Sequence, residues 1–129
     1  MLFRSQQNND QLEYRNCTAM IERKRRMLAR LKNWPKEIYL YPYSLWQMGD
    51  ALWVYCCGEP YSLLQKELRN RFPEKIIIVA PYSYRNYASY LPDKESYEKG
   101  IYQEEIAILN RGALEFLIQE IILKIKQLS

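Results

Sequence analysis

The stretch LWVYCCGEPYSLLQKELRNRF, residues 52–72, decides how this chain of 129 residues folds. Its first part is an unbroken apolar run, typical of a buried strand, and the run stops at Gly58-Glu59-Pro60. The segment Ser62-Leu63-Leu64-Gln65 then matches a capping box, in which a serine and a glutamine three residues later satisfy the first N–H groups of a helix. That helix should run to about Phe72 and end before Pro73. A buried strand therefore passes into a helix at a corner that carries one carboxylate.

Residues 34–57 predict a β-hairpin ahead of this corner. In residues 38–41 apolar side chains alternate with tyrosines, and this alternation is typical of a strand. Gly49-Asp50 has the composition of a two-residue turn with glycine first. The second arm, residues 51–57, is apolar on both faces and should be buried.

Three further elements follow the corner. The segment KIIIVAPY, residues 75–82, predicts a central buried strand, because five apolar residues follow one another. Residues 82–105 are rich in tyrosine and predict a long loop, and long ordered loops are often functional. The chain closes with an amphipathic helix whose apolar residues recur every three or four positions: Leu114, Leu117, Ile118, Ile121, Ile122, Ile125 and Leu128.

A basic amphipathic helix precedes the hairpin, at residues 10–33, and we expect residues 1–9 to be disordered. Its cationic side chains have two interpretations. They form either a solvated helix face or a patch that binds an anion or RNA. No aromatic residues are interleaved with them, which counts against nucleic acid. The residues concerned are Arg23, Lys24, Arg25, Arg26 and Arg30.

The composition is that of an ordinary globular protein, with 48% hydrophobic and 26% charged residues. The net charge of +4 allows an anionic partner without requiring one. The sequence contains no histidine, which removes the commonest general base and metal ligand. Cys17, Cys56 and Cys57 predict reduced thiols and, with no apolar signal region at the start, a cytoplasmic location. No apolar run approaches transmembrane length.

The elements follow the order α-β-β-α-β-loop-α. We therefore predict an α+β fold in a single domain, residues 1–129. A small mixed sheet, formed by the hairpin and the central buried strand, should pack with three helices.

Two segments resemble, in their order and spacing, the C-terminal part of the catalytic domain of neutral/alkaline, non-lysosomal ceramidases and their bacterial relatives. They are LWQMGDALWVYCCGEPYSLLQKELRNRF, residues 45–72, and KIIIVAPYSYRNYASYLPDKESYEKGIYQEE, residues 75–105. The second contains the pattern Y-x-x-Y-[LIV]-x-x-x-x-x-Y-x-x-x-x-Y. The strongest likeness covers about residues 45–105, and a weaker likeness extends over residues 36–128.

The resemblance implies a specific chemistry. Family members are zinc amidases that cleave the N-acyl bond of ceramide, and two histidines, a glutamate and a tyrosine hold their zinc. By position, Glu59 matches the glutamate and Tyr90 matches the tyrosine, which would also lie near the developing oxyanion as a candidate catalytic residue. The zinc would polarise the amide carbonyl and activate a water molecule. Tyr87, Tyr97 and Tyr102 match further positions and would support the site.

The zinc-binding histidines belong to the family's N-terminal portion, and this chain contains none. The resemblance therefore implies an incomplete site. We expect the isolated chain to bind no zinc and to be inactive unless another chain supplies the N-terminal portion of the hydrolase. A second hypothesis is a non-catalytic binding or assembly domain that self-associates as a homo-oligomer. A third hypothesis is the anion or RNA binder described above.

Overall fold

The computed structural model describes residues 2–32, 34, 38–84 and 88–128. The chain divides into two compact units, Met1–Tyr39 and Leu40–Ser129. The division falls close to the boundary that the sequence indicates between the basic helix and the segment of residues 36–128.

The first unit is built on one helix, α1, which spans Leu2–Leu31. It begins before the predicted start, so residues 2–9, for which we expected disorder, are helical. Residues 2–10 contain neither proline nor glycine, and therefore no strong helix breaker separates them from the rest of α1. Beyond the helix, the ring of Trp34 stacks on the ring of Tyr39 with centroids 4.3 Å apart.

The second unit contains a hairpin of β1 (Tyr43–Met48) and β2 (Ala51–Cys57), paired antiparallel. The predicted two-residue turn at Gly49-Asp50 joins them, and Gly49 has the positive φ of +59° that such a turn requires of its first residue. The first arm starts at Tyr43 and not at Ile38. Pro42 immediately precedes it, and a proline has no N–H to donate to a strand ladder.

After the corner, α2 spans Leu63–Arg71 and buries Leu64 and Leu68. Ser62 occupies the cap position, but its side chain makes no cap hydrogen bond, so the structure corrects the predicted capping box. Ser62 has helical backbone angles, φ −56° and ψ −14°. A capping serine needs an extended backbone to aim its hydroxyl at the first N–H groups. Gln65 points elsewhere and bonds to the next strand.

That strand, β4 (Ile76–Tyr84), pairs in parallel with β2 and lies at the edge of the sheet. The structure thus corrects the central position predicted for it, since β2 is the central strand. Side chains of α2 cover the outer edge of β4. Arg69 donates from Nε to the Ile77 carbonyl at 3.0 Å, and the Val79 N–H donates to Oε1 of Gln65 at 3.3 Å. These bonds satisfy backbone groups that an uncovered edge would offer to another chain.

The last helix, α4 (Ala113–Leu128), carries the predicted apolar face. Six of its seven predicted apolar residues are buried, and Leu128 is exposed. On β2, buried residues alternate with half-buried ones, so one face of the sheet carries the core. The residues that the sheet contributes to this core are Leu52, Val54, Cys56, Cys57 and Ile77.

Two short strands form a second, separate ladder. β3 (Glu59–Pro60) pairs in parallel with β5 (Tyr90–Leu91). A five-residue helix, α3 (Tyr102–Ile106), follows within the segment predicted as a long loop. The described part of the chain therefore holds four helices, a small mixed sheet and a short parallel ladder, and the α+β class is confirmed. None of the described helices is long and apolar enough to cross a membrane.

Candidate functional site

The corner at the end of β2 depends on Gly58. Its φ is +65°, a conformation that side chains with a Cβ rarely adopt, and an added Cβ would collide with the carbonyl oxygen of Ser89. The glycine lets two stretches of backbone approach closely. The Glu59 N–H donates to the Ser89 carbonyl at 2.8 Å, and the Tyr82 N–H donates to the Gly58 carbonyl at 3.0 Å. The corner is therefore fixed by backbone bonds on both sides.

The same corner brings Glu59 beside Tyr90. The two residues are register partners in the β3–β5 ladder, as are Pro60 and Leu91. Partner residues of a parallel pair project their side chains to the same side. The Glu59 carboxylate lies close enough to the Tyr90 phenol to raise its pKa. The structure thus brings together the two residues that the resemblance matches to zinc ligands.

The surroundings of Tyr90 keep its phenol protonated. Burial raises the pKa of Tyr90 above its ordinary value of 10.0, and the charge and hydrogen bond of Glu59 raise it further. Tyr102 packs its ring edge-to-face on the Tyr90 ring, with centroids 6.1 Å apart. At neutral pH Tyr90 is therefore a neutral phenol beside Glu59.

Tyr61 also belongs to this cluster, and sequence reasoning missed it. An ionised Tyr61 would raise the pKa of Tyr90, so the two phenols lie near each other. Its own pKa is raised, first by burial and then by Asp93, while a hydrogen bond with the Ser96 side chain lowers it. A signal was available in the sequence: Tyr61 follows Glu59 by two residues, and alternate residues of an extended segment lie on one side.

The other tyrosines of the motif are placed differently. The Tyr97 hydroxyl donates to the Leu109 carbonyl at 3.0 Å, so it ties the segment before α3 to the segment before α4. Burial raises the pKa of Tyr97, and the charge of Glu115 raises it further. Tyr87 lies outside the described residues.

The donor set at this corner does not fit a complete zinc site. Glu59 and Tyr90 supply two oxygen donors, whereas a zinc site normally takes three or four protein ligands. Among the residues that the structure describes, no three His, Cys, Asp or Glu side chains are arranged to hold a metal ion. We therefore assign no catalytic step through a metal to this chain.

The basic patch lies on α1, in the first unit, and its five residues are exposed. Arg23, Arg26 and Arg30 follow one another at spacings of three and four, so they share one stripe of the helix. Lys24 and Arg25 project in other directions.

A further surface emerges from the strand register. The face of the three-stranded sheet opposite the core carries Trp46 beside Trp53 and Trp53 beside Ile78, because register partners share a face. Edge-to-face contact joins Trp46 and Tyr55 at 6.3 Å, and stacking joins Trp53 and Tyr55 at 6.0 Å. We name this set the open face: Ser44, Trp46 and Met48 of β1, Ala51, Trp53 and Tyr55 of β2, and Ile76, Ile78 and Ala80 of β4.

Every residue of the open face is exposed or half-buried, and none is charged. The prediction that residues 51–57 are buried on both faces is therefore corrected for this side of β2. A continuous apolar run indicates that both faces are apolar, but it does not reveal whether the chain itself covers both.

No family model matches the sequence. Searches of curated proteins and of solved structures also find no significant match.

Proposed function

We propose that this chain is a non-catalytic binding domain whose open face docks an apolar partner. The observation that carries the proposal is the open face itself. Trp46, Met48 and Ile76 leave 59%, 43% and 57% of their surface exposed. Contiguous exposed apolar patches are often functional sites. Interface cores are rich in aromatic residues and methionine and poor in charge, which is the composition of the open face.

The reactive groups of the second unit support binding over catalysis. The raised pKa of Tyr90 keeps the phenol protonated, so it is a poor general base near neutral pH. Burial raises the pKa of the Cys56 thiol to about 12, and the thiol, unlike the thiolate, is a weak nucleophile. The Glu59–Tyr90 pair then has a structural role, because it joins the corner after β2 to the tyrosine-rich segment.

The test uses 8-anilinonaphthalene-1-sulfonate, a dye that fluoresces on exposed apolar surface. At low protein concentration the wild-type chain should enhance its fluorescence, and Trp46→Lys should reduce that enhancement at least several-fold. Phe116→Lys is the matched control, because Phe116 is 69% exposed on α4, outside the open face. Equal enhancement by all three proteins would contradict the proposal.

A second candidate is favoured by the Glu59–Tyr90 pair. A glutamate and a tyrosine side by side are what the likeness to ceramidases implies for two ligands of one metal. In that case the chain is one part of a split zinc-dependent amide hydrolase. The histidines, and with them the complete site, would come from another chain.

This candidate is tested by producing the chain with and without the product of the adjacent upstream reading frame. Zinc content and hydrolysis of an N-acyl amide such as ceramide are measured in both preparations. The candidate predicts zinc and activity only when both chains are present, and loss of both in Glu59→Ala. Absence of zinc and activity from both preparations would remove it.

A further inference from the structure

We infer that the partner seated on the open face is a second copy of this chain, related to the first by a two-fold axis parallel to the strands. The inference rests on the proposed binding function. It specifies which partner docks and which residues meet.

Charge is the first argument for a second copy. The open face has no charged residue, so it offers nothing to recognise a charged peptide, a nucleic acid backbone or an anionic membrane. The second unit, Leu40–Ser129, holds almost equal numbers of basic and acidic residues. Two copies of this unit therefore repel each other little. A two-fold interface uses the same patch twice and needs no opposite charge on the partner.

Side-chain size is the second argument, and it selects the axis. One edge of the open face, on β1, carries the large side chains Trp46 and Met48. The other edge, on β4, carries the smaller Ile76, Ile78 and Ala80. Packed sheets lie about 10 Å apart, and their facing side chains must fill that gap without voids. Large side chains must then meet smaller ones.

A two-fold axis parallel to the strands meets this requirement for the two edge strands, while on the central strand it places Trp53 opposite Trp53 of the second copy. It places β1 of one copy over β4 of the other, at the same level along the strands. Trp46 then faces Ile78 of the second copy, and Met48 faces Ile76 of the second copy. An axis across the strands would instead stack Trp46 on Trp46 and leave the β4 edges facing each other. The resulting dimer is a sandwich of two sheets, each backed by its own helices.

The size of the open face sets the expected affinity. At ordinary strand spacing and rise it covers a footprint of roughly 14 Å by 17 Å, which is smaller than a standard specific interface and fits a weak, transient contact. We therefore expect a dissociation constant in the micromolar range. The monomer should predominate at nanomolar concentration and the dimer at hundreds of micromolar.

Sedimentation equilibrium over that range tests the inference. Wild type should pass from monomer to dimer, and Phe116→Lys should match it. Trp46→Lys should weaken association at least about tenfold, as expected when a large aromatic side chain that packs into an interface is replaced by a charged one. Ile76→Lys is a second variant at an exposed position, and thermal unfolding checks that both variants remain folded. Dimerisation unchanged in both folded variants would overturn the inference.

The orientation has a separate test by charge pairing. Met48→Lys and Ile76→Glu should each weaken the homodimer, but mixed together they should form a heterodimer, because the lysine faces the glutamate only when the axis is parallel to the strands. A mixture no more associated than its two components would overturn this axis.

Failure of this inference is distinguishable from failure of the proposed function. A chain that remains monomeric but enhances dye fluorescence, with loss in Trp46→Lys, would have an open face that docks a different apolar partner. That result overturns the second copy and leaves the binding function standing. A monomer that also fails to enhance dye fluorescence overturns both.

Discussion

Glu59 and Tyr90 are register partners in the β3–β5 ladder, and the carboxylate of Glu59 raises the pKa of the Tyr90 phenol. The ladder has only two residues in each strand, so side-chain bonds matter to its stability. Hydrogen bonds to a charged group are stronger than those between neutral groups. We call the Glu59–Tyr90 pair the clasp, because it connects the corner after β2 to the tyrosine-rich segment.

Removing the clasp should destabilise the second unit. Tyr90→Phe deletes the hydroxyl and leaves the ring on Tyr102, so the free energy of unfolding should fall by about 1–2 kcal/mol. Urea denaturation measures the change. Tyr84→Phe serves as the control, since Tyr84 is exposed. Equal effects of the two substitutions would show that the Tyr90 hydroxyl contributes nothing.

The raised pKa of Tyr90 predicts a loss of stability in alkali. The folded chain holds the phenolic proton more tightly than the unfolded chain, so the contribution is fully present below the ordinary pKa of 10.0. It is lost as pH rises from there through the folded-state pKa. The urea midpoint should therefore fall as the pH rises above 10.0, and fall less steeply in Tyr90→Phe. If the urea midpoint falls equally steeply with pH in the wild type and in Tyr90→Phe, Tyr90 does not have this role.

Gly58 and Gly100 offer a matched comparison, because both have a φ of +65°. Gly58→Ala adds a Cβ that collides with the Ser89 carbonyl, whereas no atom lies within contact distance of a Cβ added at Gly100. We expect a loss of about 1 kcal/mol for Gly100→Ala and of about 2–4 kcal/mol for Gly58→Ala. Thermal or urea unfolding measures both. Similar losses would mean that the backbone approach at Gly58 is not tight.

Thiol reactivity should separate the three cysteines. Cys17 is exposed, while Cys56 and Cys57 are buried. With 5,5′-dithiobis(2-nitrobenzoic acid), one thiol per chain should react rapidly at neutral pH, and Cys17→Ser should abolish that phase. The other two should react only as the second unit unfolds. Rapid reaction of two or three thiols in the native chain would contradict the burial of β2's last residues.

Local patterns predicted the helices and the hairpin turn better than they predicted the environment of each strand. The three- and four-residue spacing of the apolar residues predicts which face of α4 is buried. The dipeptide Gly49-Asp50 predicts the turn that it forms. The apolar run in β4 cannot report that Gln65 and Arg69 cover its edge, since those contacts join distant positions. Likewise the serine at position 62 fits a capping box, but its backbone angles depend on the corner before it.

The sequence likewise predicted one part of the candidate functional surfaces and missed another. The resemblance to ceramidases predicted a site at Glu59 and Tyr90, which lie side by side, while their role as metal ligands remains a prediction. The sequence did not predict the open face, because the face is defined by which strands pair and in which register. Trp46, Trp53 and Ile78 come from three strands, and only the register shows that they share a surface.

Quenching of tryptophan fluorescence by iodide tests most directly whether the open face is where copies of the chain meet. The chain has three tryptophans, so Trp34→Phe leaves Trp46 and Trp53 as the reporters, both on the open face. Our account predicts that the quenching constant falls as protein concentration rises through the micromolar range, and that Met48→Lys in the same background removes the fall. A quenching constant that stays the same from nanomolar to hundreds of micromolar protein would contradict it.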